Sequence, residues 1–150
     1  MQRVTNCLII NNQQVLLLKK PRYGWYAMPG GKMESGESIK ESVIREVREE
    51  TGLLVANPQL YSVATMTKKS AQYPKDEWMM FTFKADKVSG ELVKECSEGE
   101  LEWVDVAELA SIPTAPSDRI IHKYMIELNQ QLFASFALDE HDQLISYRLN

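Results

Sequence analysis

Residues 29–53 restrict what this chain can fold into more than any other stretch. They read PGGKMESGESIKESVIREVREETGL, a glycine-rich turn running into a strongly signalled helix. Ser38 followed three residues later by Glu41 is a capping box, in which each side chain satisfies the other residue's backbone N–H at the first turn. Gly52 is well placed to close the helix at its C-terminal end. Val43, Ile44 and Val47 supply an apolar arc for packing. Glu46, Glu49 and Glu50 fall at i, i+3 and i+4 on one side of the same helix, with Cβ atoms about 5–6 Å apart. Like charges at that spacing oppose helix formation by roughly a few tenths of a kcal/mol per pair. They form either a solvated acidic face or a set that shares a positive partner. Because the acids follow Pro29-Gly30-Gly31-Lys32, the partner that suits them is a hard, oxygen-liganded cation carrying phosphate, Mg2+ or Mn2+.

Around this segment the chain alternates strand and helix signals. Residues 4–10 and 15–20 are β-rich apolar runs on either side of the polar turn Asn11-Asn12-Gln13-Gln14 and predict a hairpin or two adjacent strands. Residues 21–38, broken by Pro21, Gly24, Pro29, Gly30, Gly31 and Gly36, predict a loop. Residues 60–67 and 77–85 predict two strands joined by a polar loop at 68–76, and residues 101–104 a short one. Ile120, Ile121, Tyr124, Met125 and Leu128 recur at helical spacing. Residues 132–138 and 144–149 predict a closing hairpin over a turn at 139–142. The expected fold class is α+β, a mixed sheet flanked by two helices, in a single domain over residues 1–150 with no internal repeat.

Composition excludes several kinds of function. A formal net charge of −4 and the lack of a basic stripe argue against broad electrostatic binding to nucleic acid or anionic membrane. The longest apolar run near the start, Cys7-Leu8-Ile9-Ile10, is too short for a leader, and no stretch approaches the roughly 20 apolar residues of a membrane span. Cys7 and Cys96 match no zinc spacing, and His122 and His141 are the two histidines. The expected setting is therefore cytoplasmic, with reduced thiols. No membrane partner and no stable nucleic-acid complex are expected, and the chain is expected to be a monomer or a homodimer.

Gly31, Glu37 and the run Arg45-Glu46-Val47-Arg48-Glu49-Glu50-Thr51-Gly52-Leu53 resemble the Nudix box at nine defined positions across 23 residues. Weaker similarities to MutT-type members extend to the approach at residues 25–31, to residues 98–103 and to the ending Leu144-Ile145-Ser146-Tyr147-Arg148-Leu149. The resemblance implies a Nudix-type α/β/α sandwich and Mg2+-dependent hydrolysis of a nucleoside diphosphate linked to another group. It matches Glu46, Glu49, Glu50 and the Gly30 carbonyl to the family's metal ligands. It matches Glu37 and Arg45 to the pair whose salt bridge steadies loop against helix.

A phosphorus atom attacked by water needs a carboxylate to take the proton, and Glu49, Glu50 and Glu98 are the candidates. Positive charge for the phosphates is expected from Lys19, which strand alternation sets against Lys20, with Lys32 as the second candidate. Trp78 is the candidate for stacking on a nucleobase. Asp118 lies where oxidised-purine members carry base-reading acids, although capping of the following helix by Ser117 or Asp118 is the preferred reading of that stretch. Ala27 departs from the amide or acid that such members often carry there, which weakens a reading of 8-oxo-guanine selectivity. The leading expectation is hydrolysis of nucleoside triphosphates, oxidised purine ones included, to monophosphate and pyrophosphate. The alternatives are ADP-ribose, a dinucleotide or an RNA 5′-triphosphate as substrate, and lastly a binding module without turnover.

Overall fold

The central strand explains the layering. β1 (Gln2–Asn11) is buried without a break from residue 5 to residue 9 and carries the apolar run Cys7-Leu8-Ile9-Ile10 because both of its faces are covered. Cys7 and Ile9 point to one side, where they pack with Val43 and Val47 of α1 (Ile39–Thr51). Leu8 points to the other, against Ile121 and Met125 of α2 (Pro116–Ile126). The two helices thus flank the sheet on opposite faces, in the α+β arrangement expected from the sequence. The computed structural model describes residues 1–69 and 76–150, so the middle of the loop expected at 68–76 lies outside the described residues.

The remaining strands are β2 (Gln14–Lys20), β3 (Trp25–Ala27), β4 (Gly30–Lys32), β5 (Leu53–Val55), β6 (Gln59–Lys68) and β7 (Asp76–Ala85). After these come β8 (Val88–Gly90), β9 (Glu95–Cys96), β10 (Gly99–Asp105), β11 (Leu132–Leu138) and β12 (Leu144–Leu149). The large sheet runs β12-β11-β6-β7-β1-β2-β10-β9, with β3 on β2 and β4 on β1, while β5 and β8 form a separate ribbon. It is mixed: β1 pairs parallel with β7 and β6 with β11, and the other pairs are antiparallel. β1 and β2 meet over a tight turn with positive φ at Asn12 and Gln13, 52° and 61°, the hand that suits a two-residue hairpin.

Three features differ from the sequence expectation. Residues 21–38 are not all loop, since they hold β3 and β4. Gly-Gly-Lys is a poor strand by propensity, and what makes it one is register: Gly30 pairs with Asn6 and Gly31 with Thr5 on β1. The helix after Pro113 ends at Ile126, short of Leu128. Its cap is also not the expected one. Ala115 occupies the N-cap position without a side-chain bond and Pro116 opens the helix, so neither Ser117 nor Asp118 caps it.

Candidate active site

α1 forms as its sequence dictates. The Glu41 N–H donates to Ser38 Oγ at 3.1 Å and the Ser38 N–H to Glu41 Oε1 at 2.9 Å. Gly52 closes the helix at φ 80°, its N–H reaching the Arg48 carbonyl. The buried pair Thr5 Oγ1 and Ser42 Oγ, 2.8 Å apart, ties the helix to β1. The acidic side of α1 therefore faces the β4 glycines. A Cβ built on Gly30 would strike the Thr5 carbonyl on β1, so the close approach of β4 to β1 requires glycine there, and one on Gly31 would lie 2.5 Å from Glu46 Oε2 and push that carboxylate aside.

Arg45 is the hub of the loop–helix junction. Its Nε and Nη2 donate to the two oxygens of Glu37 at 2.6 and 2.9 Å, the two-pronged geometry that guanidinium and carboxylate favour. Nη2 also reaches the Lys32 carbonyl at 3.1 Å, while Nη1 reaches Glu46 at 2.8 Å and Glu49 at 3.1 Å. The guanidinium bond and the Glu34 N–H together hold the Glu37 carboxyl down at about 2. Arg45, paired with these acids, is held above its usual range. The Lys32 side chain is exposed, and it is the Lys32 carbonyl that joins this junction.

Glu50 is different. It is 9% exposed, and the Gly30 N–H donates to its Oε1 at 3.1 Å. Burial pushes its carboxyl up to about 7, the Gly30 bond opposes that rise, the charge of Glu98 adds to it and Lys20 counters it. The sequence candidate Glu98 lies in the β9–β10 turn with its Oε2 3.5 Å from Lys20 Nζ. The cation facing the acids is thus Lys20. Lys19 points to the opposite face, where its Nζ lies 5.9 Å from the centre of the Tyr26 ring. Alternation along β2 was the right rule, but its phase is set by Leu16, which packs on the α1 side and takes Lys20 with it.

As they stand, no group of three His, Cys, Asp or Glu side chains among the described residues converges on a single cation position. Arg45 engages Glu46 and Glu49, and Glu50 faces Gly30. The donor set nonetheless fits a hard divalent ion: three carboxylates and a carbonyl, all oxygen, with one of the acids, Glu50, raised by burial and by the charge of Glu98. The Glu49 side chain is 59% exposed, so its bond to Arg45 lies at the surface.

Asp118 faces inward from the first turn of α2. Burial pushes its carboxyl up to about 6, and Lys20 pulls the other way. The charge of Lys20 therefore reaches both Glu50 and Asp118, which links the two sides of the sheet electrostatically. Trp78 is half-buried on the α2 side of β7, paired across the sheet with Met66. Asn6 escaped the sequence reading. It is buried on the same face, donates from Nδ2 to Met80 Sδ at 3.6 Å and leaves its Oδ1 without a partner. An amide inside the apolar run of β1 was the available signal.

A model of the NUDIX domain matches residues 1–127. The chain is 49% identical over 150 residues to a Bacillus subtilis protein, the uncharacterized Nudix hydrolase YvcI, covering 100% of this chain and 95% of that one. It is 36% identical over 123 residues to the NAD-capped RNA hydrolase NudC of Pseudomonas aeruginosa; that match takes in 81% of this chain and 41% of the relative, so the chain spans less than half of it. Among solved structures, a mutator MutT protein from Bacillus halodurans superposes with a TM-score of 0.95 at 45% identity, covering 100% of this chain and 98% of that one.

Proposed function

The chain belongs to the NUDIX family and is a Nudix hydrolase, and from that premise we propose that it cuts purine nucleoside triphosphates, with Mg2+, into nucleoside monophosphate and pyrophosphate. The observation that carries this reading is the meeting of Glu50, held on the Gly30 N–H, with Lys20 and Glu98 at one end of the sheet. Glu46, Glu49, Glu50 and the Gly30 carbonyl would hold the metal. When bound, Mg2+ (or Mn2+) neutralises phosphate charge and acidifies water for in-line attack at phosphorus. Lys20 places positive charge beside the phosphates, and Arg45 fixes the acids by holding Glu37 and the Lys32 carbonyl. The proton released by the attacking water passes to Glu98 or Glu49, whichever faces it. Asp118, with Asn6 and Trp78 on the same side of the sheet, reads the base. With its carboxyl raised to about 6, Asp118 exchanges between donor and acceptor just below neutral pH.

A second reading rests on a separate observation. A cavity of about 820 Å3 adjoins Lys20 and Glu98, bounded by Pro21, Arg22 and Tyr23 on one side and the turn Cys96-Ser97-Glu98-Gly99 on the other. Bare pyrophosphate leaves most of that room empty. A leaving group with a ring and a phosphate, as in NAD, ADP-ribose or an RNA 5′ end, would fill it, and the NudC relative is named for such a substrate. Product analysis after incubation with Mg2+ separates the two. Pyrophosphate from ordinary or 8-oxo purine triphosphates supports the first reading; two monophosphates from NAD, with triphosphates untouched, replace it with the second.

A further inference from the structure

The turn between β2 and β3 carries a guanidinium that the hydrolytic machinery does not use. The Tyr23 and Gly24 N–H groups both donate to the Lys20 carbonyl, at 3.3 and 2.9 Å, and Gly24 closes the turn at φ 71°. Arg22 and Tyr23 thereby border the cavity of about 820 Å3 beside Lys20. The Tyr23 ring stacks on Trp25, with centroids 5.3 Å apart and planes 16° from parallel. The Arg22 guanidinium carbon lies 5.5 Å from the centre of the same Tyr23 ring. Trp25 is half-buried while Arg22 and Tyr23 are exposed, so the aromatic pair anchors a solvent-accessible guanidinium to the body of the protein.

Arg22 differs from the other cations near the site in having no acid. Lys20 is drawn to Glu98, and Arg45 to Glu34, Glu37, Glu46 and Glu49. Among the described residues, Arg22 has no carboxylate within ion-pair distance. Contact with an aromatic ring steadies a guanidinium through its face and leaves the edge of N–H donors free. Such an edge grips an oxyanion in two-pronged fashion, and it loses less freedom in doing so than a lysine. The acids that also border the cavity, Glu98 and Glu100, belong to the facing β9–β10 wall, and Glu98 is already engaged by Lys20.

On a nucleotide whose anhydride meets Lys20 and the α1 acids, the positions left for a further anion are the ribose hydroxyls. We infer that Arg22, seated on the Tyr23–Trp25 stack, is a second phosphate site, which takes a phosphomonoester carried on the sugar outside the anhydride that is cut. The inference rests on the second reading above, in which this cavity receives part of the nucleotide.

Adenosine 2′,5′-bisphosphate and adenosine 3′,5′-bisphosphate are the probes, with AMP as the same nucleotide lacking the extra phosphate. Calorimetric titration of the full chain with Mg2+ is expected to show one bisphosphate binding roughly tenfold more tightly than AMP, the size of a charge-assisted pair. A gain by either isomer supports the site and identifies the sugar position that reaches it. Arg22→Ala should bring the ratio close to one, and Arg22→Lys should leave an intermediate value. Tyr23→Leu should lower it by loosening the guanidinium. Lys20→Ala should weaken AMP and bisphosphate together and so keep the ratio. Lys87→Ala, which removes a charge from the exposed β7–β8 turn, should leave the ratio as it is. If none of the three nucleotides binds, the reading of the cavity falls and this site with it. If all three bind equally, if the ratio survives in Arg22→Ala, or if Lys87→Ala lowers it as much, the phosphate site alone is overturned.

Discussion

Glu50 on α1 and Asp118 on α2 are two acids of almost equal burial, 9% and 8% exposed, on opposite sides of one sheet. Both carboxyls are raised by burial, to about 7 and about 6, and both feel Lys20. They differ in what holds them. Glu50 has a bond from the Gly30 N–H and lies beside two further acids on its own helix. Among the described residues Asp118 has no comparable backbone donor, and its neighbours come from other parts of the chain. The first is an acid built into a local motif, and the second is an acid buried by assembly. Under the proposed function they divide the work, with α1 handling the phosphates and α2 the base.

The sharpest way to break this division is by turnover. Glu49→Gln or Glu50→Gln is expected to lower Mg2+-dependent hydrolysis by roughly 10²–10⁴-fold while a non-hydrolysable nucleotide still binds. Asp118→Asn should leave the maximal rate within about tenfold and change the ratio of kcat/KM between purines. Equal losses from both helices would dissolve the comparison. Gly30→Ala attacks the contact that buries Glu50. Its Cβ meets the backbone of β1, so chemical denaturation should show a loss of about 1–3 kcal/mol.

The stability effect of Asp118→Asn has the opposite sign. The folded state holds the Asp118 proton up to about pH 6 against an ordinary value of 3.8, so between those limits it binds more protons than the unfolded chain. Stability therefore falls as pH rises through that window, and above it the buried charge is a standing cost. Asp118→Asn should stabilise the metal-free protein by up to about 3 kcal/mol at pH 7. That gain should fade as pH drops toward 4 in thermal melts. Adding Mg2+ should raise the Tm of wild type and Asp118→Asn, and not that of Glu50→Gln. The smallest contrast lies on β2: Lys20→Ala should raise the KM several-fold, and Lys19→Ala should leave it unchanged.

The same contrast explains what could be read from the sequence. Ser38, Glu41 and Gly52 act within fifteen residues of one another, so spacing located them; the Glu37–Arg45 pair came from the resemblance to the Nudix box, and the structure joins both sets. The two-helix mixed sheet was legible for the same reason, since long strands and amphipathic helices carry their own periodicity. β3 and β4 were not, because three-residue strands take their conformation from the partner strand. Lys20 was passed over for Lys19 because alternation fixes relative facing but leaves the phase to packing. Asp118 looked like a cap because a polar residue after a proline is locally satisfied by capping. Only the sheet beneath α2 shows that it is buried instead.

The parallel pairing of β1 with β7 also sets a schedule. β1 is made early, yet its full-length parallel partner, β7, is synthesised only after α1 and several other strands. At elongation rates of about 5–20 residues per second, this central strand waits several seconds with that edge unpaired. Nascent chains are then most prone to stray strand pairing while β1 is exposed and β7 has yet to emerge. Slower translation downstream of α1 would lengthen that interval, and chaperone demand would rise with it even though the finished protein is identical.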